Sequence, residues 1–155
     1  MIELKFDRVT MLLKERKRVE AWLAAKELHG EYPEDPSVNF LIAHMFAEEK
    51  RNSEALPYAE AAVRFAPRNA DYLLALGNLY VSLDMIEHAP DALARAFSLD
   101  QTKFQAPLAL ANYFLKYGQG NRALPNYELA LRSAPSGSVP AIRPSGSYTS
   151  SRTPE

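Results

Sequence analysis

Apolar residues recur at three- and four-residue intervals through most of the chain. Leu73, Leu76 and Tyr80 form one such run, and Ala89, Leu93 and Ala96 form the next. Ile42 and Phe46, then Ala55, Ala59 and Ala62, repeat the arrangement upstream. Leu110 and Phe114, then Ala123, Tyr127 and Ala130, repeat it downstream. These intervals place side chains on one face of a 3.6-residue helix, so the pattern predicts paired amphipathic helices. Residues 136–155, SGSVPAIRPSGSYTSSRTPE, break the pattern with six Ser, two Gly and three Pro, and read as a disordered tail or linker.

The helix pairs recur with a fixed period. Ala21, Ala55, Ala89 and Ala123 stand 34 residues apart, and Pro33, Pro67 and Pro135 keep the same frame. Gln101 occupies the one remaining proline slot. Such a period accommodates two helices of about 13 residues with two short connections. Each Pro falls where a helix must end, because it lacks an N–H and disfavours the α region in its predecessor. Each Ala falls early in a second helix, where a small side chain permits a close crossing. Four units follow, 2–35, 36–69, 70–103 and 104–137, with 138–155 beyond them.

This frame resembles the tetratricopeptide repeat family, whose units carry Leu-Gly, Tyr, Ala, a bulky residue, Ala and a closing Pro. The third unit matches best, with Leu73, Leu76-Gly77, Tyr80, Ala89, Leu93 and Ala96. The second offers Ile42-Ala43, Phe46, Ala55, Ala59, Ala62 and Pro67, and the fourth Leu110-Ala111, Phe114, Ala123, Tyr127, Ala130 and Pro135. The first departs from the pattern in its leading helix, where Arg8-Val9 replaces Leu-Gly. The resemblance implies an all-α, right-handed superhelix of four helix-turn-helix units. At finer detail, Ser53 and Asn121 are expected to cap second helices, and Pro57, Pro90 and Pro125 to sit early enough in them that the lost donor costs little.

Composition supports the helical reading and removes several chemistries. The chain holds 23 Ala and 20 Leu against 14 Val, Ile and Thr together, and β-branched residues are the poorer helix formers. It has no cysteine, which excludes disulfides, thiolate metal sites and cysteine nucleophiles. A net charge of −1 supplies no basic field for nucleic acid. The one basic run, Lys14 to Arg18, falls at the first inter-helix turn and is not repeated at later turns. Phosphate-loop, dinucleotide, zinc-protease and serine-hydrolase signatures are all missing. His29, His44 and His88 lie in different units, and His44 with Glu48 reads as a polar pair rather than a metal site. The expectation is a non-catalytic cytoplasmic protein with no cofactor, metal, nucleic-acid or membrane partner.

In the family the resemblance names, positions 2, 5, 9 and 12 of each first helix line a concave groove. Carried onto this chain, position 5 is the apolar column Phe6, Phe40, Leu74 and Leu108, and position 9 is Thr10, His44, Asn78 and Asn112. Phe6, Phe40, His44, Leu74, Asn78, Leu108 and Asn112 are therefore the candidate partner-binding residues, suited to a partner's helix or extended segment. The apolar position 5 argues against family members that clamp a chaperone's C-terminal carboxylate with lysines. Two alternatives stand beside the adaptor reading. One is an accessory module cut from a larger enzyme such as a sulfotransferase. The other is a type III secretion chaperone for an apolar translocator segment, because Asp100 to Gly118, with its early Pro107, has similar spacing. Repeat arrays usually end in a polar helix, and here Pro135 leads straight into the Ser-rich stretch, so self-association through an uncapped last unit is a further expectation.

Overall fold

The computed structural model describes residues 1–136. They form eight helices and no strand: α1 (Ile2–Lys14), α2 (Arg18–Glu31), α3 (Pro36–Glu48), α4 (Asn52–Phe65), α5 (Ala70–Ser82), α6 (Ala89–Leu99), α7 (Gln105–Lys116) and α8 (Gly120–Ser133). Odd helices open each unit and even helices close it, and every helix packs on its sequence neighbours in an α-solenoid. Residues 137–155, all but the first residue of the expected 136–155 tail, lie outside the described residues.

The turn inside each unit has one recurring construction. Arg16, Lys50, Asp84 and Gly118 all have φ between 55 and 70°. At each, the amide one residue later reaches back to the helix: Lys17 N–H to the Leu12 carbonyl, Arg51 to Phe46, Met85 to Tyr80 and Gln119 to Phe114. The left-handed residue and its six-to-one bond satisfy carbonyls that the helix end would otherwise orphan. Only the fourth unit places Gly at this strained position.

Two of the three turns between units are closed by side-chain caps. Asp35 caps α3 by accepting from the amides of Ser37 and Val38, and Asn69 caps α5 by accepting from Tyr72 N–H. Ser53 and Asn121 do not cap: α4 and α8 begin after Arg51 and Gln119, which leaves both residues inside the first turn. In units one, two and four the second helix starts two residues after the left-handed one, leaving no room for an extended cap residue. For the same reason Pro57 and Pro125 stand at the sixth helical position, where each removes one internal bond. Pro90 stands at the second position of α6, where nothing is lost.

Two core clusters run through the stack. One joins Val9, Ala21, Ala25 and Leu28 of the first unit to Val38, Leu41, Ile42 and Met45 of the second. The other continues from Ala55, Ala59 and Val63 through Leu73, Leu76, Leu93 and Ala96 to Leu110, Tyr113 and Ala123. Small residues at the first-to-second-helix crossings bring the backbones together. Gly77 is the extreme case, since a Cβ there would stand 2.6 Å from Leu93 Cγ and Cδ2. The one fully buried polar side chain among the described residues, Asn39, donates both amide hydrogens, to the carbonyls of Pro33 and Asp35. It ties the first inter-unit turn to α3 and leaves no polar group unpaired.

Candidate functional site

The odd-numbered helices lie side by side, so equivalent positions of successive units face a common surface. Phe6, Phe40 and Leu74 stand in line on α1, α3 and α5, each half-buried, and border one open cavity of about 570 Å³ together with Ser37, Asp71 and Asn78. A second cavity of about 290 Å³ adjoins it and shares Phe40 and Asn78, with His44, Ala47, Lys50 and Asn52 completing its wall. The two together make a continuous trough over the first three units. Its floor is apolar and its rim carries an imidazole, three amides, a carboxylate and an ammonium.

Each side chain is held by its neighbours to a different degree. Phe40 packs on Tyr72 with ring centroids 4.7 Å apart, so this anchor also joins α3 to α5. Its other flank meets His44 at 6.4 Å. His44 itself is exposed, with Nε2 3.8 Å from Glu48 Oε1. Asp71 pairs with Lys103 at 2.7 Å, which links the start of the third unit to its end. That hydrogen bond raises the Lys103 ammonium above its ordinary pKa. Burial pushes the Tyr72 phenol up, with Asp35 and Asp71 adding to the effect.

The fourth unit contributes less. Leu108 is half-buried on α7 and lines neither of these two cavities. Asn112 accepts a hydrogen bond from Tyr127 Oη at 2.6 Å, so its carbonyl oxygen is committed to α8. Of the seven expected residues, five share the trough and two stand apart. Reasoning from one column of the repeat could not see Tyr72, which packs on Phe40 across a unit boundary, or Lys103, which closes unit three back onto its own first turn.

A further cavity of about 450 Å³ lies at the first turn, where Arg16, Arg18, Trp22, His44, Glu48 and Glu49 converge. Trp22 Nε1 donates to Glu49 Oε1 at 2.7 Å, tying the second helix of unit one to the turn of unit two. This bond, with a second from Arg51, holds the Glu49 carboxyl below its usual pKa. The basic run is thus partly enlisted in packing: Lys17 pairs with Glu15, and the carboxylates of unit two face Arg16 and Arg18. Among the described residues no three His, Asp or Glu side chains come together closely enough to hold a metal ion. No helix among them is long and apolar enough to cross a membrane.

No family model matches the chain. Over 76 residues, 49% of its length, it is 30% identical to the BBSome complex member BBS4 of Bos taurus, and it spans only 15% of that protein. Among solved structures, the crystal structure of MamA protein superposes with a TM-score of 0.80 at 18% identity, covering 85% of this chain and 72% of that one. MamA from Desulfovibrio magneticus RS-1, residue 41 to its end, superposes with a TM-score of 0.77 at 18% identity, covering 86% and 75%. At these identities the likeness is one of fold, and the tetratricopeptide-like solenoid of helix pairs is what this chain and MamA share.

Proposed function

We propose that this chain is a non-catalytic protein-interaction module that holds an apolar partner segment in the trough of its odd-numbered helices. The observation that carries this reading is the continuity of the trough: the same repeat positions of three successive units border two cavities that meet at Phe40. Phe6, Phe40 and Leu74 supply apolar area, and Leu108 extends the column toward the fourth unit. His44 and Asn78 present polar groups along one rim and would fix the register of a bound backbone. Asn112 would do so only by exchanging its bond to Tyr127. The fold it shares with MamA suits the same role.

A pull-down with the wild-type chain beside Phe40→Ala/Leu74→Ala and Asn78→Asp variants tests the assignment. Truncating a buried anchor typically costs about 1–3 kcal/mol, so the double variant should bind at least tenfold more weakly. Because Phe40 also packs on Tyr72, the helicity of each variant is checked by circular dichroism. Asn78→Asp leaves that packing untouched and puts a charge into the trough. A partner held equally by wild type and both folded variants would refute groove binding.

A further inference from the structure

The two ends of the array expose apolar side chains at the positions that inner units use to pack on one another. On α1, Leu4 is 72% and Met11 56% exposed. Their equivalents one unit on are Val38 and Met45, at 0% and 3%. In the later units Leu79, Ala106 and Tyr113, at the same two positions, are also buried, and Tyr72 is half-buried. These residues form the backward face through which each unit meets the one before it.

The forward face shows the same relation. On α8, Leu124 is 61% and Leu131 55% exposed. Their equivalents in the first unit are Trp22 and His29, which meet the second unit directly: Trp22 lies 4.5 Å from Phe46 and His29 5.4 Å from Tyr58, ring centroid to centroid. In units two and three the same positions are Leu56 and Val63, then Pro90 and Phe97, all half-buried or buried.

Charge fits as well. Between Leu4 and Met11 stands Arg8, at the position held by Ile42, Leu76 and Leu110 in the inner units. Between Leu124 and Leu131 stands Glu128, at the position of Lys26 in unit one. At the first unit boundary these two positions line one cavity, bordered by both Ile42 and Lys26. Where the inner interface sets an apolar residue beside the preceding helix, the two ends offer an arginine and a glutamate.

We infer that copies of this chain stack head to tail, the backward face of α1 (Leu4, Arg8, Met11) docking on the forward face of α8 (Leu124, Glu128, Leu131). The contact repeats the inner unit-to-unit interface between molecules, with α1 of one copy following α8 of the next as α3 follows α2. It joins two different surfaces, so it does not close on itself at a dimer and extends into an open filament. The trough stays free, and the inference does not rest on what the trough binds.

Sedimentation of the full chain across a concentration series tests this. Wild type should show a weight-average mass that rises steadily past the dimer. Met11→Arg blocks one end and Leu131→Arg the other, and because both residues are exposed, neither change removes core packing. Each variant alone should stay monomeric, while an equimolar mixture should stop at a heterodimer, since one free backward face meets one free forward face. Arg8→Glu should weaken association about tenfold or more, and Arg8→Glu/Glu128→Arg should recover it. A wild-type chain that stays monomeric at high concentration overturns the inference, whether residues 137–155 or some other segment covers α8. A mass that stops at a dimer, or association that survives both blocking changes, overturns it too.

Discussion

Replacing Gly77 with Ala sets two opposed effects against each other at one atom. Gly in a helix interior costs about 1 kcal/mol relative to Ala, so on an exposed surface the change would stabilise. Here the added methyl would lie 2.6 Å from Leu93 Cγ and Cδ2 and 3.3 Å from the Leu93 backbone nitrogen. Leu93 is wholly buried, and its Cγ is not a loose end that can swing aside, so α6 must shift or the leucine must leave its rotamer. Overpacking of this kind typically costs about 1–3 kcal/mol, and a clash with a branch carbon and a nearby backbone atom belongs at the upper end. The net expectation is a loss of about 1–2 kcal/mol, or a melting point lowered by about 5 °C for a chain of this size.

The repeat supplies the control. Gly77 and Leu93 meet where unit two has Ala43 with Ala59 and unit one has Val9 with Ala25, all buried. Leu93→Ala alone opens a cavity worth about 2–5 kcal/mol. The double variant Gly77→Ala/Leu93→Ala recreates the pair of unit two. In the Leu93→Ala background the glycine substitution should therefore change sign and stabilise by about 1 kcal/mol. Urea midpoints for the four proteins, followed by circular dichroism, give the coupling directly. A Gly77→Ala protein more stable than wild type, or two changes that simply add, would refute the close-approach argument.

Three further outcomes follow from local geometry. Asn39→Ala should destabilise by about 2–4 kcal/mol, because it leaves a void at a buried site and withdraws both donors from the Pro33 and Asp35 carbonyls, whereas Asp35→Ala should lose only the cap, about 1 kcal/mol; urea melts separate the two. Lys50→Gly should stabilise by about 0.5–1 kcal/mol in the same assay, since Lys50 sits at φ 62° where a Cβ is strained. The Tyr80 phenol is pushed up to about 12 by burial and by the Glu60 carboxylate that accepts its hydrogen. Its folded pKa exceeds the unfolded one near 10, so the unfolded chain releases this proton first. The contribution is whole below pH 10 and is lost as the pH rises to 12. Wild type should therefore lose more stability over that interval than Tyr80→Phe, as paired melts at pH 9 and pH 11.5 would read.

The helix pairs were legible in the chain because their signal is periodic twice over, at 3.6 residues within a helix and at 34 between units. Pro33, Pro67 and Pro135 each follow a helix end directly, after Tyr32, Ala66 and Ala134. The caps were not legible. Ser53 and Asn121 have suitable side chains, but a left-handed residue three places earlier had already turned the chain, and an arginine, a lysine and an aspartate carry no sequence mark of that conformation. Repetition was the missing signal: all four left-handed residues share one slot of the frame, and the single glycine among them identifies it.

The trough was legible by column and obscured across columns. A register carried along one face names Phe6, Phe40, Leu74, His44 and Asn78, and these side chains border the two cavities. It cannot tell whether a residue is spent on cohesion before it is offered to a ligand, because that depends on what the adjacent column brings. Phe40 meets Tyr72, and Asn112 meets Tyr127, so an aromatic in the next column takes part of each side chain's capacity. At the ends of the array the relation reverses. Leu4, Met11, Leu124 and Leu131 occupy cohesive columns, but among the described residues they have no adjacent unit to meet, and they are exposed. The inner units bury equivalent positions against one another, so the same columns that hold the solenoid together become, at its two ends, complementary surfaces for another copy.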